Sequence, residues 1–167
     1  MSLKILLRDF SGTLILIREL NIWQQGTISN FSASPRADKG MINLYIWNCS
    51  VPGLRGTLFE NVNIPFVLFF PATYPKKPPC CFLEPPFITH LNVFSSGLLL
   101  LDLFSDFWDP TTSLYEILLQ VQTVLHTPNE RSVASAEAYA LYRYEPELYK
   151  KLLDAQIQEF YSKQKPE

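Results

Sequence analysis

Tyr74-Pro-Lys-Lys-Pro-Pro79, His90-Leu-Asn92, Ser96-Gly97 and Trp108-Asp-Pro110 lie in and beside one long stretch with little periodicity, from Pro85-Pro86 to about Pro110. Irregular segments of that length are uncommon inside compact domains and are usually functional. Upstream, Thr27–Ser34, Met41–Val51 and Val62–Phe70 are rich in β-formers, and turn signals at Pro35 to Gly40 and Pro52-Gly53 to Gly56 separate them. Cys80–Leu83 reads as a short fourth strand, and this spacing predicts an antiparallel meander. Downstream the period changes to that of helices. Thr111 or Thr112 caps one whose apolar face is Leu114, Ile117, Leu118, Val121, Val124 and Leu125, ending before Pro128. Ser132 or Ser135 opens a second, to about Tyr144, and Pro146 starts a third, to about Lys163.

At the other end, Leu3, Leu6, Leu7, Phe10, Leu14, Ile17 and Leu20 recur at helical spacing, with Lys4, Arg8, Arg18 and Glu19 largely off the stripe. An amphipathic helix over about residues 3–20 is expected, weakened by Gly12. The fold class is therefore α+β: an N-terminal helix, a four-stranded antiparallel meander sheet, a long loop and C-terminal helices. The 167 residues fit one domain, 1–167, and there are no repeats or linkers.

The composition excludes several functions. A net charge of −2 without a basic stripe does not suit a nucleic-acid backbone. The longest apolar run, Phe66-Val-Leu-Phe-Phe70, is strand-sized, far below the roughly 20 residues of a membrane span. Arg8 and Asp9 end the apolar start too early for a secretory core. Three cysteines without a regular framework or metal spacing point to a reduced compartment, cytosol or nucleus. No second histidine or acid is spaced to form a metal site with His90, so neither metal nor cofactor is expected.

The loop motifs and the order of elements resemble the ubiquitin-conjugating enzyme family over nearly the whole chain, most strongly from Leu44 to Phe160. Trp47-Asn-Cys-Ser-Val-Pro-Gly53 with Gly56-Thr57, and Ala136-Glu-Ala-Tyr139, are similar to the branch that conjugates SUMO. The flap between Leu100 and Trp108 has instead the length usual in ubiquitin-dedicated members. In the family an H-P-N tripeptide precedes the catalytic cysteine, which lies eight residues after the asparagine. Here His90 and Asn92 match the tripeptide, Leu91 replaces its proline, and Leu100 stands where the cysteine is expected. One extra residue between Pro86 and His90 implies a shifted loop.

Transfer from a thioester needs a thiolate that accepts the modifier and then yields it to an amine. A nearby amide donor stabilises the oxyanion. The resemblance assigns that part to Asn92, directly or by bracing the loop, and bracing is the commoner use of a loop asparagine. Leucine cannot form a thioester, so the resemblance implies a lapsed site: Leu100, Asn92, His90 and Ser132. Ser132 aligns with the acidic gate residue; hydrogen bonding and phosphorylation are open to it, but a helix N-cap is its expected role. His90 reads as a hydrogen-bonded structural histidine, and His126 as a capping cation or surface residue. A displaced nucleophile would have to be Cys80 or Cys81, with Cys49 a remoter candidate. Buried thiols are inert, and alternation turns one of the Cys80/Cys81 pair outward. Leu98-Leu-Leu-Leu101 either lines an open groove or folds Leu100 into the space of a closed site.

The resemblance implies a catalytically inactive conjugating-enzyme variant: a binding or scaffold module for ubiquitin or a ubiquitin-like modifier, an active conjugating enzyme, or a ligase. Expected partner surfaces are the sheet face around Leu44, Ile46 and Asn48, the N-terminal helix, and the groove from Asn92 to Leu101 with Leu98 and Leu100. Two ligase-type loops complete the set, one carrying Lys76 and Lys77, the other Asp109, Pro110 and Thr111. The alternatives are an active transferase using Cys80 or Cys81 and an adaptor unrelated to ubiquitin.

Overall fold

A computed structural model describes residues 11–161 except Thr27 and Ser29. The order of elements is α1 (Ser11–Gln24), β1 (Ser32–Asp38), β2 (Met41–Pro52), β3 (Asn63–Phe69), β4 (Cys80–Leu83), a single 3-10 turn (Asp102–Phe104), α2 (Leu114–His126), α3 (Ala136–Tyr144) and α4 (Pro146–Tyr161). The strands pair in sequence order β1-β2-β3-β4, all antiparallel, as the expected meander.

β1 begins later and ends later than its β-formers suggest. Pro35 does not end it, because an edge strand tolerates a residue without an N–H, and the register shifts between Pro35 and Arg36. The turn is the tight Lys39-Gly40 pair, with φ of 49° and 82° at the two residues. The first part of the expected strand includes Thr27 and Ser29, which lie outside the described residues.

The inner face of the sheet and α2 form the core. Trp47, Val51, Ile64, Phe66, Leu68, Cys81 and Leu83 meet Leu114, Ile117, Leu118, Val121 and Leu125, all buried. The expected apolar face of α2 is therefore the observed one. Its cap is Ser113, one residue beyond the expected threonines, in a reciprocal capping box with Glu116.

α1 differs more. The expected helix from about residue 3 overlaps residues outside the described range. Within that range Leu16 and Glu19 face inward, while Leu14 and Ile17 are exposed. Glu19 is buried because its Oε1 accepts from the Leu114 N–H at 3.3 Å. The carboxylate thus sits at the electropositive start of α2. Gly12 lies in the first described turn against the Tyr74 carbonyl, where an added Cβ would collide. Glycine there lets α1 close on the Tyr74–Pro79 loop.

Candidate functional site

Between β4 and α2 the chain forms a pinned loop. The Leu83 N–H donates to the Gly97 carbonyl (2.9 Å) and the Leu99 N–H to the Cys81 carbonyl (2.9 Å), so this loop covers the outer edge of β4. Gly97 has φ of 85°, and its missing side chain makes room for Phe87. Beyond the turn, Leu99 and Leu101 are buried, while Leu98 and Leu100 are half-buried. Leu100 donates its N–H to the backbone carbonyl of Asn92, the asparagine that carries the resemblance, at 2.8 Å. Leu100 is thus neither fully open nor fully buried, while its neighbours Leu99 and Leu101 fill the core.

Asn92 has zero exposure. Its Oδ1 accepts from the Asn129 N–H (2.8 Å), and its Nδ2 donates to the carbonyls of Asn129 (2.9 Å) and Ser132 (2.5 Å). All the side chain's polar capacity facing the 129–132 segment is thus taken up by backbone, and no Nδ2 hydrogen is left to aim at a reacting carbonyl. The same segment is held from the outside by Asp102. Its Oδ2 accepts from Asn129 Nδ2 (2.6 Å) and its Oδ1 from the Ser132 hydroxyl (2.5 Å). Ser132 is therefore not a helix cap; Ser135 caps α3, its Oγ accepting from the Ala138 N–H at 3.2 Å. The sequence reading missed Asp102, whose partners are about 30 residues away and invisible to local spacing. Leu91, fully buried, completes the brace: its carbonyl accepts from the N–H groups of Ala134 and Ser135.

His90 is buried and neutral. Its Nδ1 accepts from the Asn92 N–H at 3.1 Å, placing the ring proton on Nε2, which has no hydrogen-bond partner of good geometry. Burial pushes its pKa down to about 4, opposed by the Leu125 and Val124 carbonyls at the end of α2. That is a structural histidine, poorly suited to carrying a proton at neutral pH. His126 corrects its expectation as a capping cation. It is half-buried, with Nδ1 on the Gln122 carbonyl (2.6 Å) and Nε2 accepting from the Leu54 N–H (2.9 Å). This pairing requires the neutral ring, and burial lowers its pKa accordingly.

The cysteines divide as alternation requires. Cys49 and Cys81 are buried and Cys80 is exposed. Burial drives the Cys49 and Cys81 thiols well above their ordinary pKa, so neither yields a thiolate nucleophile. Cys80 shares the outer sheet face with Phe82 and, across the strand pair, Phe69. Among the described residues it has no hydrogen-bond or ion-pair partner to activate it.

The expected partner surfaces assemble in two places. Ile46 and Asn48 lie on the outer face of β2, where Arg36 donates to Asn48 Oδ1 at 3.1 Å and Ile46 pairs with the exposed Phe69, whereas Leu44, expected there too, packs against the core at the irregularity of the β1–β2 register. The two ligase-type loops meet because Trp108 Nε1 donates to the Pro75 carbonyl at 2.7 Å. This hydrogen bond ties the turn bearing Lys76 and Lys77 to the one bearing Asp109, Pro110 and Thr111, all exposed except half-buried Pro75 and Trp108. Asp109 Oδ1 accepts from the Thr111 N–H and hydroxyl, which hold its carboxyl below the usual range.

The family model for ubiquitin-conjugating enzyme matches residues 15–157. A SUMO-conjugating enzyme of Arabidopsis thaliana, SCE1, is 32% identical over 148 residues, covering 87% of this chain and 92% of that protein. Ubiquitin-conjugating enzyme E2 2 of Mycosarcoma maydis is 38% identical over 144 residues, 86% and 75% of the two chains. The SUMO-conjugating enzyme UBC9 of Caenorhabditis elegans is 35% identical over 131 residues, 76% and 78%. Relatives named for two modifiers match at similar identity, as the mixed motifs of the sequence imply. With the meander, the pinned loop and these matches together, the chain belongs to the ubiquitin-conjugating enzyme family.

Proposed function

We propose that the chain is a catalytically inactive ubiquitin-conjugating-enzyme-like protein that works as a non-covalent binding or scaffold module in a ubiquitin or ubiquitin-like modifier pathway. The observation that carries this reading is Leu100, eight residues after Asn92, where the resemblance places the nucleophile. A leucine side chain has no lone pair to attack a thioester. Two features support it. Ser132 stands where a gate acid is expected, and two of the three thiols are buried.

The partner chemistry follows the exposed surfaces. The outer sheet face around Ile46, Asn48 and Phe69 offers an apolar centre with polar edges, the composition of a non-covalent protein interface. The joined loops offer Lys76 and Lys77 beside Asp109, a charge pattern that selects among ligase or conjugating-enzyme partners. Titrating isotope-labelled protein with ubiquitin and with SUMO tests the reading. One of them shifts the amides of Leu44, Ile46 and Asn48, and Ile46→Glu abolishes the shifts. If neither binds while a stable partner co-purifies, the reading gives way to an adaptor outside these pathways.

The exposure of Cys80 favours one rival, a transferase acting through that thiol. A reducible modifier adduct that disappears in Cys80→Ala would establish it.

A further inference from the structure

The segment that joins β2 to β3, residues 53–62, is bonded mainly to itself. The Thr57 N–H and hydroxyl donate to the Leu54 carbonyl (3.2 and 2.6 Å), the Gly56 N–H to Glu60 Oε2 (2.8 Å) and the Gly53 N–H to the Val62 carbonyl (2.7 Å). Among the described residues, two hydrogen bonds tie it and its flank to the helical layer, both to α2. Gln122 Nε2 donates to the Pro52 carbonyl at 2.8 Å, and the Leu54 N–H donates to His126 Nε2 at 2.9 Å. The second bond fixes the state of the histidine. A ring nitrogen that accepts from a backbone N–H carries no proton, so the ring proton is on Nδ1, which donates to the Gln122 carbonyl at 2.6 Å. That carbonyl belongs to the last turn of α2, where the helix end favours a donor. Phe59, itself buried, packs edge-on against the ring with centroids 5.2 Å apart. The imidazole is thus held from two further sides, and it cannot turn Nε2 away from Leu54 without giving up the Gln122 bond.

We propose that His126 and Leu54 form a proton-operated latch: a proton on Nε2 sets N–H against N–H, breaks the bond, and releases residues 54–61 from the end of α2. The released segment keeps its internal bonds and moves as a unit, which uncovers Phe59. The charged groups around the ring do not offset the added proton. The segment itself brings Arg55 and Glu60, and the Glu60 carboxylate already holds the Gly56 N–H. Glu130, Arg143 and Lys150 line the same hollow as His126. Glu130 pairs with Arg143 at 4.0 Å, and Lys150 with Glu147 at 3.5 Å. Tyr142 and Tyr149, also in the hollow, stay protonated far above neutral pH. His90 faces the ring from the pinned loop, and a charge on either histidine disfavours one on the other. The last two turns of α2 carry no other charged residue. Burial lowers the His126 pKa from its ordinary value, so the latch is shut at neutral pH and opens on acidification. It acts on the β2–β3 segment alone and stands whether or not a modifier binds the outer sheet face.

The test combines nitrogen-15 spectra of the histidine rings with amide hydrogen exchange on the full chain, between about pH 7.5 and pH 5, where exposed carboxylates stay charged. The expected ring form at the upper end is neutral with its proton on Nδ1. As the ring titrates, the amide signals of Leu54, Arg55 and Leu58 move along the same curve. Protection of the Leu54 amide, corrected for its intrinsic exchange rate, falls about fivefold more than that of Leu68, Ile117 and Leu118. Those core amides report any global loss of stability from His90, so the difference isolates the latch. His126→Gln offers an amide oxygen to the Leu54 N–H and takes up no proton, so it keeps the segment closed and removes the pH dependence. The proposal is overturned if the ring carries its proton on Nε2 at about pH 7.5 or takes up none by about pH 5. It is equally overturned if Leu54 stays protected while the ring titrates, or if His126→Gln loses that protection over the same interval.

Discussion

Replacing Asn92 by alanine removes three hydrogen bonds that join the pinned loop to the 129–132 segment, at 2.8, 2.9 and 2.5 Å. The asparagine is fully buried, so the Asn129 N–H and at least one of the two carbonyls lose their partner without ready access to water. Each neutral bond contributes about 1 kcal/mol net, and a stranded buried group costs about 1–3 kcal/mol. Two of the three partners lie at the edge of a partly exposed segment and recover some hydration, which places the total near 3 kcal/mol. Equilibrium unfolding in urea, followed by tryptophan fluorescence, reads this directly. With a slope of about 2 kcal/mol/M for a domain of this size, the midpoint falls by about 1.5 M. Asn92→Asp sharpens the test. It keeps an acceptor for the Asn129 N–H but turns a carboxylate oxygen toward two carbonyls, so it is more damaging than alanine at neutral pH. If alanine shifts the midpoint by less than the equivalent of about 0.5 kcal/mol, Asn92 is not the brace described above, and its amide must be free for another use.

Other expectations follow from single contacts. His90 binds its proton near 6.5 when unfolded and near 4 when folded, so the unfolded state takes it up first and stability falls as pH drops through that window. About 2 kcal/mol is lost between pH 7 and pH 5 from this residue alone, with His126 acting in the same direction; an unchanged urea midpoint across that interval contradicts a buried neutral His90. Ser132→Asp sets a second carboxylate against Asp102, and amide hydrogen exchange at residues 129–134 should quicken severalfold relative to Ser132→Ala. Gly12→Ala should cost about 1–3 kcal/mol because its methyl meets the Tyr74 carbonyl, although alanine is the better helix former; a thermal scan showing stabilisation would refute that close approach.

The elements that sequence reading placed well are those whose signal is local. Cys80–Leu83 emerges to the residue because prolines bound it on both sides, and the face of α2 because its apolar period meets one sheet. β1 was displaced because Pro35 is a turn signal only where its N–H is needed, and an edge strand does not need it. The face of α1 was misjudged for a related reason. Leu14 and Ile17 look like core by spacing, but the inward position is fixed by Leu16 and by Glu19 reaching the start of α2. At the site, His90, Asn92, Leu100 and Ser132 were legible through the resemblance; the structure joins Asn92 to the 129–132 segment that carries Ser132, and bonds the Leu100 N–H to the Asn92 carbonyl. The role of Asp102 was not, since its partners Asn129 and Ser132 lie beyond α2 in the chain, outside the reach of local spacing.

The central claim is that Leu100 stands at the nucleophile position and leaves the chain unable to accept a modifier, and a charging assay tests it most directly. Wild type and Leu100→Cys are incubated with ATP, activating enzymes and a panel of ubiquitin-like modifiers, then run on non-reducing gels. The account predicts no reducible adduct on wild type and an adduct on Leu100→Cys with at least one modifier. A thiol-sensitive adduct on the wild-type chain would contradict it and direct attention to Cys80.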